Sequence, residues 1–329
     1  MIPLTQHARR AFAARRAGAV EWPTVLLAAA VHGAWFAAAA AAGTVGQPAA
    51  CMLLTLATCW YMSLQHELLH GHPTRCKALN RLIGLAPLAV WYPYDLYRAS
   101  HLAHHRDEVL TQPGLDPESN YLDAADFDRL PRWAQVLRTA QRTALGRMTL
   151  GPALAIVPVA LDIVRRPLRG DFSQTRCWAE HLALLAGLLW ALDRFAGIAP
   201  PVYLFGVAYP ALGLAMLRSL HEHRPADAPA HRIAVNEAGL FWRGLYLNNN
   251  YHAVHHALPG LPWWRLPAAW QADRDGWLRR NGGFRLAGYG SLVRRFALTP
   301  IDAPVHPASP PRAGRAGSAR AAADFPPPA

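Results

Sequence analysis

Ten of the sixteen histidines fall in four tight clusters: His66 and His70 in HELLH, His101, His104 and His105 in HLAHH, His221 and His223 in HEH, and His252, His255 and His256 in HAVHH. Each cluster begins at or shortly after the end of a long apolar segment. An imidazole in or near a bilayer costs free energy unless its nitrogens are satisfied. The spacing therefore asks for a common partner, and a metal centre at the membrane surface is the obvious one. On a helix, residues three and four apart share a face, which aims His66 with His70, His101 with His104 and His105, and His252 with His255 and His256. A single HxxxH is more often a pair of satisfied structural histidines; two HxxHH boxes plus an HxxxH on one membrane face reverse that reading. A mononuclear zinc or haem site takes two to four protein ligands, so about nine imidazoles suit a dinuclear site. Imidazole alone does not choose between iron, copper and zinc. Carboxylates are sparse in the clusters, unlike the Glu-x-x-His di-iron bundle. Glu67, Glu222 and Asp95 are placed to accept from imidazole N–H groups and orient them.

The clusters need apolar elements to carry them. Apolar residues make up 52% of the 329-residue chain and charged residues only 16%, and the apolar residues come in blocks, which argues against a soluble globule. Four segments match the roughly 20 residues a helix needs to cross the hydrocarbon: 24–42, 49–69, 180–198 and 201–217. Short connections, 43–48 and 199–200, make them two helical hairpins. The stretches Leu82–Trp91 and Met148–Val164 are read as interfacial or re-entrant, the second being interrupted by Pro152 and Pro158. One extra crossing at either place would put later histidine clusters on the opposite face from earlier ones, so shared chemistry favours four spans. The expected fold is all-α: a polytopic membrane protein with two hairpins and a cytoplasmic helical cap bearing the histidines. Its parts are a basic segment at 1–23, a membrane domain at 24–300 and a disordered Pro/Ala/Arg-rich tail at 301–329.

The net charge of +12 comes almost wholly from arginine, with Lys77 the sole lysine, a composition that suggests a GC-rich bacterial coding bias. The arginines flank apolar blocks instead of forming a stripe, which excludes a nucleic-acid surface and fits anchoring charges. Arg9, Arg10, Arg15 and Arg16 precede the first span, and Arg75, Lys77 and Arg81 follow the second. By the positive-inside rule both termini and the histidine boxes are cytoplasmic, in a bacterial inner membrane. The first span is too long for a signal-peptide core and is read as a retained anchor. Cys51, Cys59, Cys76 and Cys177 are scattered and form no disulfide framework.

HELLH, HLAHH and HAVHH resemble the three histidine boxes of the integral-membrane fatty acid desaturase and hydroxylase superfamily, which includes alkane monooxygenases and carotenoid ketolases and hydroxylases. The run HHALPGLPWWRLPAAW (His255 to Trp270) resembles the family's continuation after its third box. RSLHEHR (Arg218 to Arg224) resembles the segment where the family keeps one more ligand. The resemblance spans roughly Thr24 to Trp270. It implies a non-haem di-iron centre that activates O2 against an unactivated C–H bond, with His66, His70, His101, His104, His105, His223, His252, His255 and His256 as ligands. No catalytic residue is implied beyond them. His223 is preferred to His221 because it lies in the EHR portion most like the family. The Asn248–Asn250 run offers a polar contact without singling out one residue.

His72 is expected beside the site or at the surface. His32 and His181 are expected in structural roles, and His7, His231 and His306 in solvent. The family mechanism needs two electrons per O2, yet the chain has no HPGG haem motif, no cysteine cluster and no GxGxxG. A separate ferredoxin, rubredoxin or cytochrome with its reductase is implied, and an arginine-rich face would attract an acidic carrier. The leading function is an O2-dependent fatty acyl desaturase acting on an apolar lipid. Hydroxylation or ketolation of an alkane, carotenoid or lipid is the alternative. A non-catalytic membrane metal-binding protein or transporter is remote, because transport favours polar ligands near the bilayer midplane.

Overall fold

The structure is a computed structural model that describes residues 20–307. His7, most of the basic N-terminal segment and residues 308–329 lie outside the described residues.

The described residues open on a helical hairpin, α1 (Trp22–Ala40) and α2 (Gln47–Leu69). Each helix has a proline, Pro23 or Pro48, in its first turn, where the missing N–H costs nothing. Val31, Trp35, Leu54 and Leu64 face inward and are fully or almost fully buried, while Leu26, Phe36 and Met52 stay exposed on the outer face. An apolar outer face of this kind is what lipid contact requires. After α2 come α3 (Tyr94–His104), α4 (Arg132–Ala140) and α5 (Ala144–Leu168). A second hairpin follows, α6 (Thr175–Ala196) and α7 (Pro200–Arg218). Gly197, in the left-handed conformation, ends α6 and turns the chain.

Among the described residues, three helices are long and apolar enough to cross a membrane: α1, α5 (25 residues) and α7 (19 residues). Two of these coincide with the expected spans 24–42 and 201–217. The expected spans 49–69 and 180–198 lie in α2 and α6, which have the length, at 23 and 22 residues. Gln65, His66 and Glu67 dilute the hydropathy of α2, as Glu180, His181, Asp193 and Arg194 dilute that of α6. The stretch 148–164, expected to be interfacial or re-entrant, is helical and lies within α5, whose two segments Ala144–Thr149 and Gly151–Leu168 join at Leu150. Pro152 falls in the first turn of the second segment, and Pro158 is accommodated within it. Nε2 of His104, before α5, lies 3.0 Å from Nε2 of His223, after α7. The chain between them must cross any membrane an even number of times, so α5, α6 and α7 cannot all be full crossings.

Within α7, residues Leu204–Ala208 form a π turn just before Pro210. The proline cannot donate to the preceding turn, and the Thr55 hydroxyl from α2 donates to the freed Gly206 carbonyl at 3.5 Å. Helices α5 and α7 meet at Gly213, where a Cβ would lie 2.1 Å from the Met148 carbonyl oxygen.

The all-helical expectation needs two amendments. Val235–Asn236 and Arg285–Leu286 form a short parallel strand pair, and α8 (His252–Ala257) packs beside it over a core that includes Val235, Val254 and Leu266. The segment 297–307 is not a free tail but a strap. Leu145 N–H donates to Ala297 O, Ile301 N–H to Arg142 O, Leu122 N–H to Pro304 O and His306 N–H to Leu122 O, all at 2.9–3.1 Å. His306, expected in solvent, is buried with Nε2 3.1 Å from the Thr111 hydroxyl. These pairings join residues far apart in sequence and leave no local periodicity to read.

Candidate metal centre

The last turn of α2 delivers His66, and the chain leaves the helix at His70. Helix α3 carries His101 and His104, and His105 caps it. His223 is held by a backbone bridge to Ile233. The box on α8 follows Leu247 and Asn248, whose φ values of 49° and 55° turn the chain sharply through the left-handed region. A short polar side chain such as Asn tolerates that region.

The nine expected ligands converge in two groups. His66, His70, His101, His105 and His255 form one, and His104, His223, His252 and His256 the other, each with its candidate ligand atoms within 4.8 Å of one another. The groups adjoin: the His105 and His256 rings stack at 4.2 Å. Each HxxHH box is split between them, where the spacing alone suggested one shared direction. Successive residues on a helix diverge by about 100°, so the paired histidines point to different sides while the i, i+4 pair points the same way. Hence His101 and His105 join one group and His104 the other, and His252 and His256 join one and His255 the other.

Outer contacts fix the rings. Nδ1 of His104 donates to Asp116 at 2.8 Å, and Nδ1 of His101 donates to Glu118 at 3.0 Å. The Asn249 amide lies 3.2 Å from Nδ1 of His252 and 3.4 Å from Nε2 of His66. Asn249 is thus the member of the Asn run that touches the site. Asn248 and Asn250 are spent on Trp263 O and Asn236 O. Asp116 and Glu118 were missed by the sequence reading; the signal was a D-x-E pair in the Pro/Gly-rich loop after HLAHH.

The acceptors named from sequence fare differently. Asp95 pairs with Arg81, away from the imidazoles. Glu67 accepts from Trp263 N–H at 3.1 Å. Glu222 lies 3.8 Å from Nδ1 of His252 and 3.7 Å from Arg218. Of the remaining histidines, His72 is buried against Glu21 at 2.8 Å. His32 and His181 bond the Ala28 and Val90 carbonyls, as structural roles require. His231 is half-buried against Gly282. His221 joins neither group and packs on Phe284, 5.0 Å between rings.

The fatty acid desaturase family matches residues 45–287 of the chain. The chain belongs to this family. It is therefore a membrane protein of the desaturase and hydroxylase superfamily, carrying a desaturase-type oxidoreductase domain, and the superfamily is one of non-haem di-iron proteins. Comparison with curated proteins gave no match.

The residues present fit the metal of a desaturase. Because Nδ1 of His101 is committed to a carboxylate, the Nε2 atom of its neutral ring carries a lone pair. That Nε2 faces Nε2 of His70 at 3.2 Å and of His105 at 3.1 Å, while Nε2 of His223 faces those of His104 and His252, both at 3.0 Å. Clustered imidazole nitrogens of this kind are a donor set for cations. Burial, reinforced by neighbouring imidazoles, holds His223, His252, His255 and His256 well below the usual histidine range, and His105 down to about 3. These rings are neutral, as metal ligands must be. His104 runs the other way: burial opposes its charge, but Glu118 and Asp116 outweigh it and push it up to about 9. Burial likewise opposes ionisation of Glu118, and His101, His104 and Arg218 overcome it to hold the carboxyl well below its usual range. An imidazole brings no negative charge to a metal it binds, so these carboxylates supply what two cations need nearby.

A cavity of about 600 Å³ reaches both groups, with His66 and His101 from one and His104, His223 and His252 from the other in its wall. Its apolar lining comes from Leu96 on α3, Leu154 and Val159 on α5, and Leu212 and Met216 on α7.

Proposed function

We propose that this chain is an O2-dependent oxidoreductase that introduces a double bond into a lipid acyl chain, using two irons. The observation that carries the reading is the single cavity in which apolar walls and both histidine groups meet. Its volume falls in the range of small-molecule sites. His66, His70, His101, His105 and His255 would hold one iron, and His104, His223, His252 and His256 the other.

Bound iron supplies the activation of O2 that lets two hydrogens leave adjacent carbons, with two electrons and two protons from outside completing the reduction of O2 to two waters. The chain's own part is to hold and to exclude. Asp116 and Glu118 fix the tautomers of His104 and His101. Leu96, Leu154 and Met216 line a path from which an acyl chain displaces water. The electrons come from a separate ferredoxin, rubredoxin or cytochrome with its reductase, docking by charge on an arginine-rich face. The proposed setting is a bacterial inner membrane with the boxes and both termini cytoplasmic.

Expression in a bacterium with a competent donor system, followed by mass spectrometry of total lipids and added carotenoids, tests this. Loss of two hydrogens with a located double bond supports desaturation. Gain of an oxygen replaces it with hydroxylation or ketolation, and an unchanged profile overturns it. Metal analysis of the purified protein should find about two irons per chain; zinc alone with no iron uptake would sink the oxidoreductase reading.

A further inference from the structure

The cavity has a second chemistry. Arg138, Gln141 and Arg142, at the C-terminal end of α4 and just past it, stand three and four residues apart on one face and line the cavity that the histidines share. The opposite face of α4 exposes Trp133 and Val136. Arg142 is fixed in place, buried, with Nε 2.6 Å from Asp302 and its guanidinium 4.5 Å over the Tyr121 ring. Its two neighbours are not matched. Arg138 is half-buried, and among the described residues no carboxylate or carbonyl meets its guanidinium. Gln141 is only 3% exposed, yet its side-chain amide makes no hydrogen bond among the described residues. A buried amide and a half-buried cation both carry a desolvation cost unless something satisfies them. A guanidinium fork beside an amide N–H2 is complementary to an oxyanion with two acceptor oxygens.

We propose that Arg138 and Gln141 bind the oxyanion headgroup, a carboxylate or a phosphate, of the lipid whose chain occupies the apolar part of the cavity. The proposal rests on the functional reading above and deepens it by naming the substrate class: an acyl lipid with an acidic head. A neutral hydrocarbon or a carotenoid leaves both side chains unmatched. Arg142, held by Asp302, adds positive potential behind the pair without needing to move.

The test is equilibrium binding to the full-length protein in a neutral detergent, without O2 or an electron donor. The probes are stearate, stearyl phosphate, stearyl alcohol and inorganic phosphate. An acidic probe should bind the unaltered protein roughly 10- to 100-fold more tightly than the alcohol, the range of one hydrogen bond to a charged group. Arg138→Ala and Gln141→Leu should each erode that preference and leave alcohol binding unchanged. Arg138→Lys should restore part of it. Comparing stearate with stearyl phosphate identifies the head. Equal binding of acid and alcohol overturns the proposal, as does an unchanged preference in a folded Arg138→Ala protein. Inorganic phosphate that competes as strongly as the lipids also overturns it, because the site would then be one for free anions. A protein that shows the acid preference but oxidises no lipid sinks the proposed oxidation and leaves the headgroup site standing. One that desaturates lipids with no such preference does the reverse.

Discussion

Asp116 accepts a 2.8 Å hydrogen bond from Nδ1 of His104, twelve residues earlier in the chain, and both side chains are almost fully buried. The same carboxylate accepts from the backbone N–H groups of Thr111 and Glu118, each at 2.9 Å. One side chain thus folds the loop and aims the ring. Outer contacts of this type are worth about 10–100-fold in metal affinity. Asp116→Ala should lower iron retention against a chelator by about that factor, and Asp116→Asn, which keeps an acceptor, by less. Iron per chain after dialysis is the measurement, and full retention in Asp116→Ala would contradict the assignment.

The split of the third box predicts separable losses. His255→Ala removes a member of the five-histidine group and His256→Ala a member of the four-histidine group. Each should lose activity and iron while the protein stays in the membrane. His221→Ala, outside both groups, should keep its iron. Metal analysis beside membrane fractionation decides it, and full activity in His255→Ala or His256→Ala would break the ligand set.

Acid should unfold the protein early. Burial pushes His221 down to about 4 from its ordinary value of 6.5. The unfolded chain takes up that proton near pH 6.5 and the folded one only near pH 4, so stability falls as pH drops through this window. The buried imidazoles of His223, His252 and His255 shift in the same direction. His221→Leu should flatten part of the fall, read as the difference in thermal midpoint between neutral and mildly acidic buffer. An equally steep fall in the variant would assign the effect elsewhere.

The contact of α5 with α7 leaves no room for a methyl group at Gly213, since a Cβ would meet backbone atoms of Met148. Gly213→Ala should cost about 1–3 kcal/mol, the usual penalty of overpacking, seen as a lower thermal midpoint in detergent. Gly187, with open space around its Cβ position, is the control, and Gly187→Ala should be neutral or mildly stabilising.

The strap predicts an effect at a distance. Asp302 bonds buried Arg142 and also the Tyr121 hydroxyl, beside the loop that carries Asp116 and Glu118. Asp302→Ala should destabilise by about 1.5–3 kcal/mol, the worth of a hydrogen bond to a charged group, and loosen iron retention as well. Unfolding and chelator resistance are measured together; loss of stability with iron held as firmly as before would confine the strap to a structural role.

Eight of the nine converging histidines were legible because box chemistry is local: three- and four-residue spacings on helices need no knowledge of the fold, whereas His223 was preferred to His221 only through the family resemblance. The division of each box between two groups was legible in principle, since adjacent residues diverge around a helix. Asp116, Glu118 and Asn249 were harder, because each lies in an irregular segment that offers no periodicity. Asp95, named as an acceptor from the sequence, lies on the helix of the second box, but Arg81 claims it. Two spans read cleanly as apolar blocks. α5 did not, because Pro152 and Pro158 look like breaks and one of them merely starts a turn.

The strap also sets an order of events in the cell. Its residues, 297–307, lie beyond the 45–287 segment that matches the family and emerge from the ribosome after every histidine of the centre. During synthesis the earlier parts of a chain fold first, so the boxes can gather while the loop bearing Asp116 and Glu118 still lacks its pairing with Pro304 and His306. Until that stretch arrives, the outer supports of His101 and His104 have no latch. The candidate metal centre of this protein is latched by a segment made after all of its histidines.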